Sequence, residues 1–296
     1  MNAKGQPIVL ATDFSEPARN ALDHAAVLAR EAGADIHALH VNLVPAALAG
    51  EEDLPGQQEF AEALGKAAGK SLDELPWPDD IRVQNIVRDD FSPAHGILSY
   101  AEEVDAAMIV LGTHGRTGLS ALMGSVASQV TRGAYIPVLV TGDEEGHRAH
   151  PEGIRQVLTA TDLSEESVPG VRHAARFARE HGARLLVVHA LEPQYRPPYA
   201  SAVTQSTTDL ELAQNALAEF LDAIGLPLED VQQEVDIGPP DEVIATVAKR
   251  ETTDLIVISP HTRSAITRFF LGSTSDRVLR TAPCPVLIYR EPSDHR

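Results

Sequence analysis

The sequence predicts an α/β protein of two tandem domains, each a five-stranded parallel sheet with helices on both faces. Three observations predict it. First, Ile8-Val-Leu-Ala-Thr-Asp13-Phe-Ser15 recurs as Val157-Leu-Thr-Ala-Thr-Asp162-Leu-Ser164. Second, Gly124-Ser125 followed by Pro137-Val-Leu-Val140 recurs as Gly272-Ser273 followed by Pro285-Val-Leu-Ile288. Third, short apolar runs alternate with helical patterns throughout, and that alternation implies parallel strands joined by crossover helices. At 296 residues the chain has room for two such domains, expected at 1–146 and 150–296.

Each element of the first half has a local reason. Ile8 to Thr12 is an apolar run ending in a polar turn, so it reads as a buried strand. Ser15 is a good N-cap, Pro17 suits the first helical turn, and Gly33 closes a helix running to Ala32. Ile36 to Val41 reads as the second strand, Gln57 to Leu75 as a helix, and Ile81 to Val87 as the third strand. Ser92-Pro93 starts a helix ending near Glu103. Ala106 to Leu111, Leu119 to Arg132 and Ile136 to Val140 complete the set as strand, helix and strand. The second half repeats the order, with strands near 155–161, 184–190, 231–237, 254–258 and 285–289. Asp143 to Gly153 is polar and reads as the linker. The helix carrying Leu210, Leu217 and Leu221 is amphipathic, with those leucines toward the core.

Composition narrows the function. Forty-three acidic residues against 24 basic ones leave a net charge of −19, which repels nucleic-acid backbones and anionic membranes. No apolar run reaches the length of a membrane span, and the N-terminal residues lack a signal-peptide pattern, so a cytoplasmic location is expected. One cysteine, Cys284, permits no intramolecular disulfide and reads as a packed residue. His37 and His40 lie three apart on a strand, on opposite faces, and do not chelate one metal. His114 and His261 occupy equivalent turns and read as surface residues.

Open parallel sheets bind ligands beyond the carboxyl ends of their strands, where the strand order reverses. Two turns stand out there. Asp13 follows the first strand. Gly112-Thr-His-Gly115-Arg-Thr-Gly118 follows the fourth, with Gly124-Ser125 in or at the start of the next helix. Glycines let the backbone approach a ligand, and successive N–H groups at a helix start form an anion nest. Arg116 adds charge and Ser125 a hydroxyl, so a phosphate fits. Asp13, ionised, accepts hydrogen bonds from an adenine amino group or a ribose hydroxyl.

These motifs together resemble the universal stress protein family over nearly the whole chain. The resemblance implies two nucleotide-binding sandwich domains with strand order 3-2-1-4-5, related by a pseudo-twofold, with the fifth strands mediating pairing. It implies ATP, with or without magnesium, between the first and fourth strands, held by members carrying G-x2-G-x9-G-(S/T). By position, Asp13 would meet adenine or ribose and Val41 the adenine through its backbone. Gly112, Gly115, Gly124 and Ser125 would hold the phosphates. It also implies a homodimer, an adenine nucleotide as ligand and a protein partner of unknown identity.

Two departures matter. Eight residues, not nine, separate Gly115 from Gly124, and one helical residue is a rotation of about 100°. Either the loop absorbs it or Ser125 points elsewhere. In the second half Ser259-Pro-His-Thr262 replaces the early glycines: Pro260 has no N–H and Thr262 resists positive φ. Asp162, Gly272 and Ser273 remain, so weaker binding is expected there. A regulatory ATP-binding protein is therefore the leading expectation, with at most slow hydrolysis. The alternatives are a scaffold or carrier of another ligand with vestigial ATP sites, and an ATP-using transferase or ligase. The last needs acidic groups near the phosphates, and the phosphate loop has none nearby except Asp13.

Overall fold

The computed structural model describes residues 5–44, 57–113, 124–143, 145–150, 153–192, 202–259 and 272–290. The chain forms two compact units, Met1–Ala149 and His150–Arg296. In the first, β1 (Ile8–Ala11), α1 (Glu16–Ala32), β2 (Ile36–Leu43), α2 (Gln57–Asp73) and β3 (Val83–Asp90) follow in order. Then come α3 (Pro93–Glu103), β4 (Met108–Gly112), α4 (Ser125–Gly133) and β5 (Val138–Thr141). The second unit holds β6 (Gln156–Ala160), α5 (Val168–Glu180), β7 (Arg184–Leu191), α6 (Ala202–Ala223) and β8 (Val231–Ile237). It continues with α7 (Pro240–Arg250), β9 (Leu255–Ile258), α8 (Ser273–Thr281) and β10 (Val286–Ile288).

In the first unit the strands lie in the order β3-β2-β1-β4-β5, and in the second in the order β8-β7-β6-β9-β10. All these neighbours pair in parallel. The order reverses at β1 and at β6, which therefore sit centrally with helices on either side. Ile8, Val9 and Leu10 are wholly buried, as are Ile109, Val110, Val157 and Leu158. Each such side chain contributes roughly 1.5–3 kcal/mol by leaving water. α1 follows the sequence signals: the Ser15 hydroxyl accepts from the Ala18 N–H at 3.4 Å, and Gly33 takes the left-handed conformation at φ 62°.

The structure departs from the sequence reading at β3 and in the linker. β3 runs to Asp90, three residues past Val87 where the apolar pattern stops. Backbone pairing needs no apolar side chain: Asn42 and Leu43 of β2 face Asp89 and Asp90 in register, and Asn42 donates to the Asp89 carboxylate at 2.9 Å. The fourth helix is described from Ser125; residues 119–123 of the expected helix lie outside the described residues. The expected linker includes a 3-10 turn, Glu145–His147, and His147 is buried. Its Nδ1 accepts the Gly142 N–H at 2.8 Å, and Asn20 of α1 donates to the Gly142 carbonyl, so polarity there serves a packed network.

Leu217 and Leu221 of α6 are buried, Leu210 is half-buried and Leu212 is exposed. Cys284 is buried and reduced, and burial raises its thiol pKa. His173 of α5 stacks on Tyr289 with ring centroids 3.6 Å apart, and its Nδ1 accepts from Arg176 at 3.0 Å. Burial first, then Arg176, pushes its pKa down to about 3. An unfolded histidine takes its proton near pH 6.5, so the unfolded chain binds the proton first and folding loses stability as pH falls from there toward 3. The expected slope from this one group is up to about 1.4 kcal/mol per pH unit. Urea midpoints at pH 7 and pH 5 should therefore differ more for the wild type than for His173→Phe, which has no proton to take.

Candidate functional site

The first unit encloses a cleft of about 430 Å³ at the carboxyl ends of its strands. Its walls come from the ends of β1 (Ala11, Thr12, Asp13), β2 (Leu39, His40, Val41) and β4 (Leu111, Gly112, Thr113). Ala18 of α1, Pro93 and Ile97 of α3, and Gly124 to Ala127 at the start of α4 close it. β1 and β4 diverge here because the chain leaves them toward opposite faces of the sheet, which is how a reversal of strand order makes a crevice.

The turn after β1 is tightly specified. Phe14 has φ 64°, a left-handed conformation that costs a non-glycine residue roughly 1–2 kcal/mol. Two side chains stabilise it: the Thr12 hydroxyl accepts from the Phe14 N–H at 3.0 Å, and the Asp13 carboxylate from the Ser15 N–H at 3.0 Å. Asp13 is thereby held at the cleft rim, exposed. On the opposite wall, Val41 packs its side chain into the space left by Gly96, where an added Cβ would lie 2.9 Å from it.

α4 points its N-terminus into the cleft. Its cap is Gly124, without a side-chain cap, and its first turn holds no acidic residue. The ladder begins with Ser128 N–H to the Gly124 carbonyl at 2.8 Å, so the N–H groups of Ser125, Val126 and Ala127 precede it. Such a terminus attracts an anion through these donors and the positive end of the helix dipole. Gly124 N–H bonds the Thr113 carbonyl at 3.0 Å, tying α4 to the end of β4.

The structure thus brings together Asp13, Val41, Gly112, Gly124 and Ser125 around one cleft. Gly112 has a packing reason as well: an added Cβ would meet backbone of Pro17 and Ala18 at 2.6–2.7 Å. Gly115, Arg116, Gly118 and His114 lie outside the described residues, as do Pro260, His261 and Thr262. Ser125 is the first residue of α4 and Ser273 the first of α8, so both Gly-Ser pairs occupy the same helical position despite the different spacing. The length difference falls in the intervening residues.

In the second unit, Asp162 repeats the role of Asp13, accepting from Ser164 N–H at 3.0 Å, beside Leu163 at φ 63°. Gly272 caps α8, but Asp276 stands in the first turn, paired with Arg280. A carboxylate there opposes a bound anion. The close approach of helix and fourth strand is also solved the other way round. Ser259 replaces the strand glycine, and Gly170 of α5 makes room, an added Cβ lying 2.5 Å from that of Ser259.

Sequence reading missed Thr12, His40, Thr113, Pro93 and Ile97 as cleft residues, and Asp276 as a difference between the repeats. One signal was available: His40 and His189 hold equivalent places in the two repeats, and each Nδ1 lies against a strand-end carbonyl, Thr12 at 2.8 Å and Thr161 at 2.9 Å. Among the described residues no cluster of three metal-ligating side chains occurs, and no helix is long and apolar enough to cross a membrane.

Fold and cleft define a tandem α/β protein with a ligand crevice at the strand-order reversal. The sequence model of the universal stress protein family matches residues 5–142 and again 153–290, so the chain belongs to that family. A universal stress protein of Thermus aquaticus, named for its position 3′ of a QAH/OAS sulfhydrylase, is 39% identical over 140 residues, 46% of this chain and 98% of that protein. One from Mycobacterium tuberculosis is 31% identical over 191 residues, 63% of each chain. Among solved structures, a universal stress protein from Archaeoglobus fulgidus superposes with a TM-score of 0.62 at 20% identity, covering 98% of this chain and 97% of that one. A functionally unknown protein from Pseudomonas aeruginosa gives 0.65 at 19% identity, covering 97% and 93%. At these identities the superpositions show the fold.

The reciprocal packing at Gly170 and Ser259 yields a test. Gly170→Ala should destabilise the second unit by about 1–3 kcal/mol through overpacking. Adding Ser259→Gly should recover most of that loss in urea unfolding, whereas two independent sites would simply add.

Proposed function

We propose that this chain is a regulatory nucleotide-binding protein that takes ATP, alone or with magnesium, in the cleft of its first unit. The observation that carries the reading is the uncapped, acid-free N-terminus of α4 opening into a 430 Å³ cleft opposite Asp13 and Val41. In this reading the N–H groups of Ser125, Val126 and Ala127, with the Ser125 hydroxyl, hold phosphate oxygens. Gly115 and Arg116 supply the rest from the preceding turn, Asp13 binds ribose or adenine, and the Val41 backbone meets the base. Asp13 is the one carboxylate among the described lining residues and already accepts the Ser15 N–H. That supports an output through occupancy, with a protein partner reading the bound state and two chains associating as a homodimer.

The second unit, with Asp162, Gly272 and Ser273 in the matching places, is the weaker site in this reading. Pro260 removes a donor, Thr262 resists the angles glycine supplies, and Asp276 places a carboxylate at the start of α8.

Titration calorimetry of the full chain tests this with a charge at each helix start. A carboxylate in the first turn stabilises a helix by about 0.3–1 kcal/mol while repelling phosphate. Ser125→Glu should therefore keep or raise the melting temperature and lower ATP affinity at least 100-fold. Ser273→Glu should leave the dominant binding event unchanged. Undiminished affinity in Ser125→Glu, or equal losses in the two variants, would refute the assignment.

A further inference from the structure

The parallel ladder between β1 and β2 stops one rung early, and side chains replace the missing rung. Ala11 lies opposite Leu39, and the Thr12 N–H bonds the Leu39 carbonyl at 2.9 Å. In a parallel ladder the next two bonds would run from Val41 N–H to the Thr12 carbonyl and from Phe14 N–H to the Val41 carbonyl. Neither forms. The Thr12 carbonyl is taken by His40 Nδ1 at 2.8 Å, and the Phe14 N–H by the Thr12 hydroxyl at 3.0 Å. Because a carbonyl only accepts, the proton sits on Nδ1 of His40. The imidazole is held in place by Phe14, ring centroids 4.7 Å apart.

The consequence falls on Val41. Residues of one parity in a strand direct N–H and C=O to the same neighbour, and Leu39 directs its groups to β1. Val41, two residues on, therefore directs both groups past the end of β1, on the cleft wall that it lines. Among the described residues neither group finds a partner on that side. The second unit repeats the three hydrogen bonds, with Leu163 in place of the Phe14 ring: Thr161 N–H bonds the Val188 carbonyl at 3.0 Å, His189 Nδ1 donates to the Thr161 carbonyl at 2.9 Å, and the Thr161 hydroxyl accepts from Leu163 N–H at 2.9 Å. Ala190 stands where Val41 stands. The two units have diverged at their phosphate turns and at their helix–strand packing, yet both keep this substitution of a rung.

We propose that His40 and His189 are positioning residues that hold open a backbone donor–acceptor pair, at Val41 and at Ala190, for the edge of an adenine base. Adenine carries an acceptor ring nitrogen, N1, beside its amino donor, which complements one backbone N–H and C=O. Hypoxanthine presents the reverse pattern and does not. The second unit thus keeps a base-reading edge although its phosphate turn has changed, and its ligand is an adenine nucleoside or monophosphate. This rests on the nucleotide reading above.

Amide hydrogen exchange of the full chain without ligand tests the histidines apart from any nucleotide. In the wild type the Val41 and Ala190 amides should exchange at least 100-fold faster than those of Leu39 and Val188, which direct their groups to the neighbouring strand. His40→Leu frees the Thr12 carbonyl, and the Val41 amide should close on it and slow at least tenfold with Leu39 unchanged. His40→Asn, whose side-chain amide reaches the place of Nδ1, should keep Val41 fast. Calorimetry with ATP and ITP then reads the base: a preference of at least tenfold for ATP in the wild type and in His40→Asn, falling below twofold in His40→Leu. Protected Val41 and Ala190 amides in the unliganded wild type, or a Val41 rate indifferent to His40→Leu, would overturn the role of the histidines whatever ATP does. A wild type that binds neither ATP nor AMP would overturn the nucleotide reading, and the base with it, leaving the exchange result to stand by itself.

Discussion

At the end of β1 the chain turns through a left-handed residue, Phe14, and the rest of the cleft follows from that turn. A phenylalanine does not adopt φ 64° without support, and the support is local: the Thr12 hydroxyl, the Asp13 carboxylate and the N-cap Ser15 each take one backbone N–H. The same turn that starts α1 therefore ends the pairing of β1 with β2, fixes Asp13 at the rim and clears the space above β1. At Thr161-Asp162-Leu163 the threonine and aspartate bonds and the left-handed residue recur, while the Ser164 hydroxyl donates to Asp162 instead of capping the helix.

The two units share that turn and differ on the opposite wall. In the first, glycine on the strand side admits the start of α1, and α4 begins without a carboxylate. In the second, serine on the strand side is accommodated by glycine on the helix, and the first turn of α8 carries Asp276, paired to Arg280. The fold tolerates either solution because the close approach needs one missing side chain, on whichever partner. The charge at the helix start is different in kind. It leaves the helix intact, since α8 forms from Ser273 with Asp276 in its first turn.

Under the proposed function, a negative protein has to hold a polyanion, and short-range geometry is the means the cleft offers. With a formal charge of −19 the long-range field repels ATP, and at physiological ionic strength screening confines that repulsion to about 8 Å. Inside that distance, backbone N–H groups and a helix dipole act without adding any formal charge. A cleft lined mainly by aliphatic residues and backbone is consistent with such a strategy.

The sequence alone determined the duplication, the element order and the strands that build the core, because apolar periodicity and turn chemistry are local properties. It also located the Asp13 turn and the Gly124-Ser125 helix start, since both depend on residue types with few structural alternatives. β3 ran past its apolar pattern because ladder hydrogen bonds are blind to side chains, so only its partner strand decided its end. The role of His40 was marked only by its repetition as His189, for a related reason. Spacing excluded it as a metal ligand, but its function lies in a contact with Thr12, 28 residues away along the chain. Likewise Gly170 has no visible role until packing places it against Ser259. Contacts between distant segments are set by how the parallel strands stack, and that registration exists only once the sheet has formed.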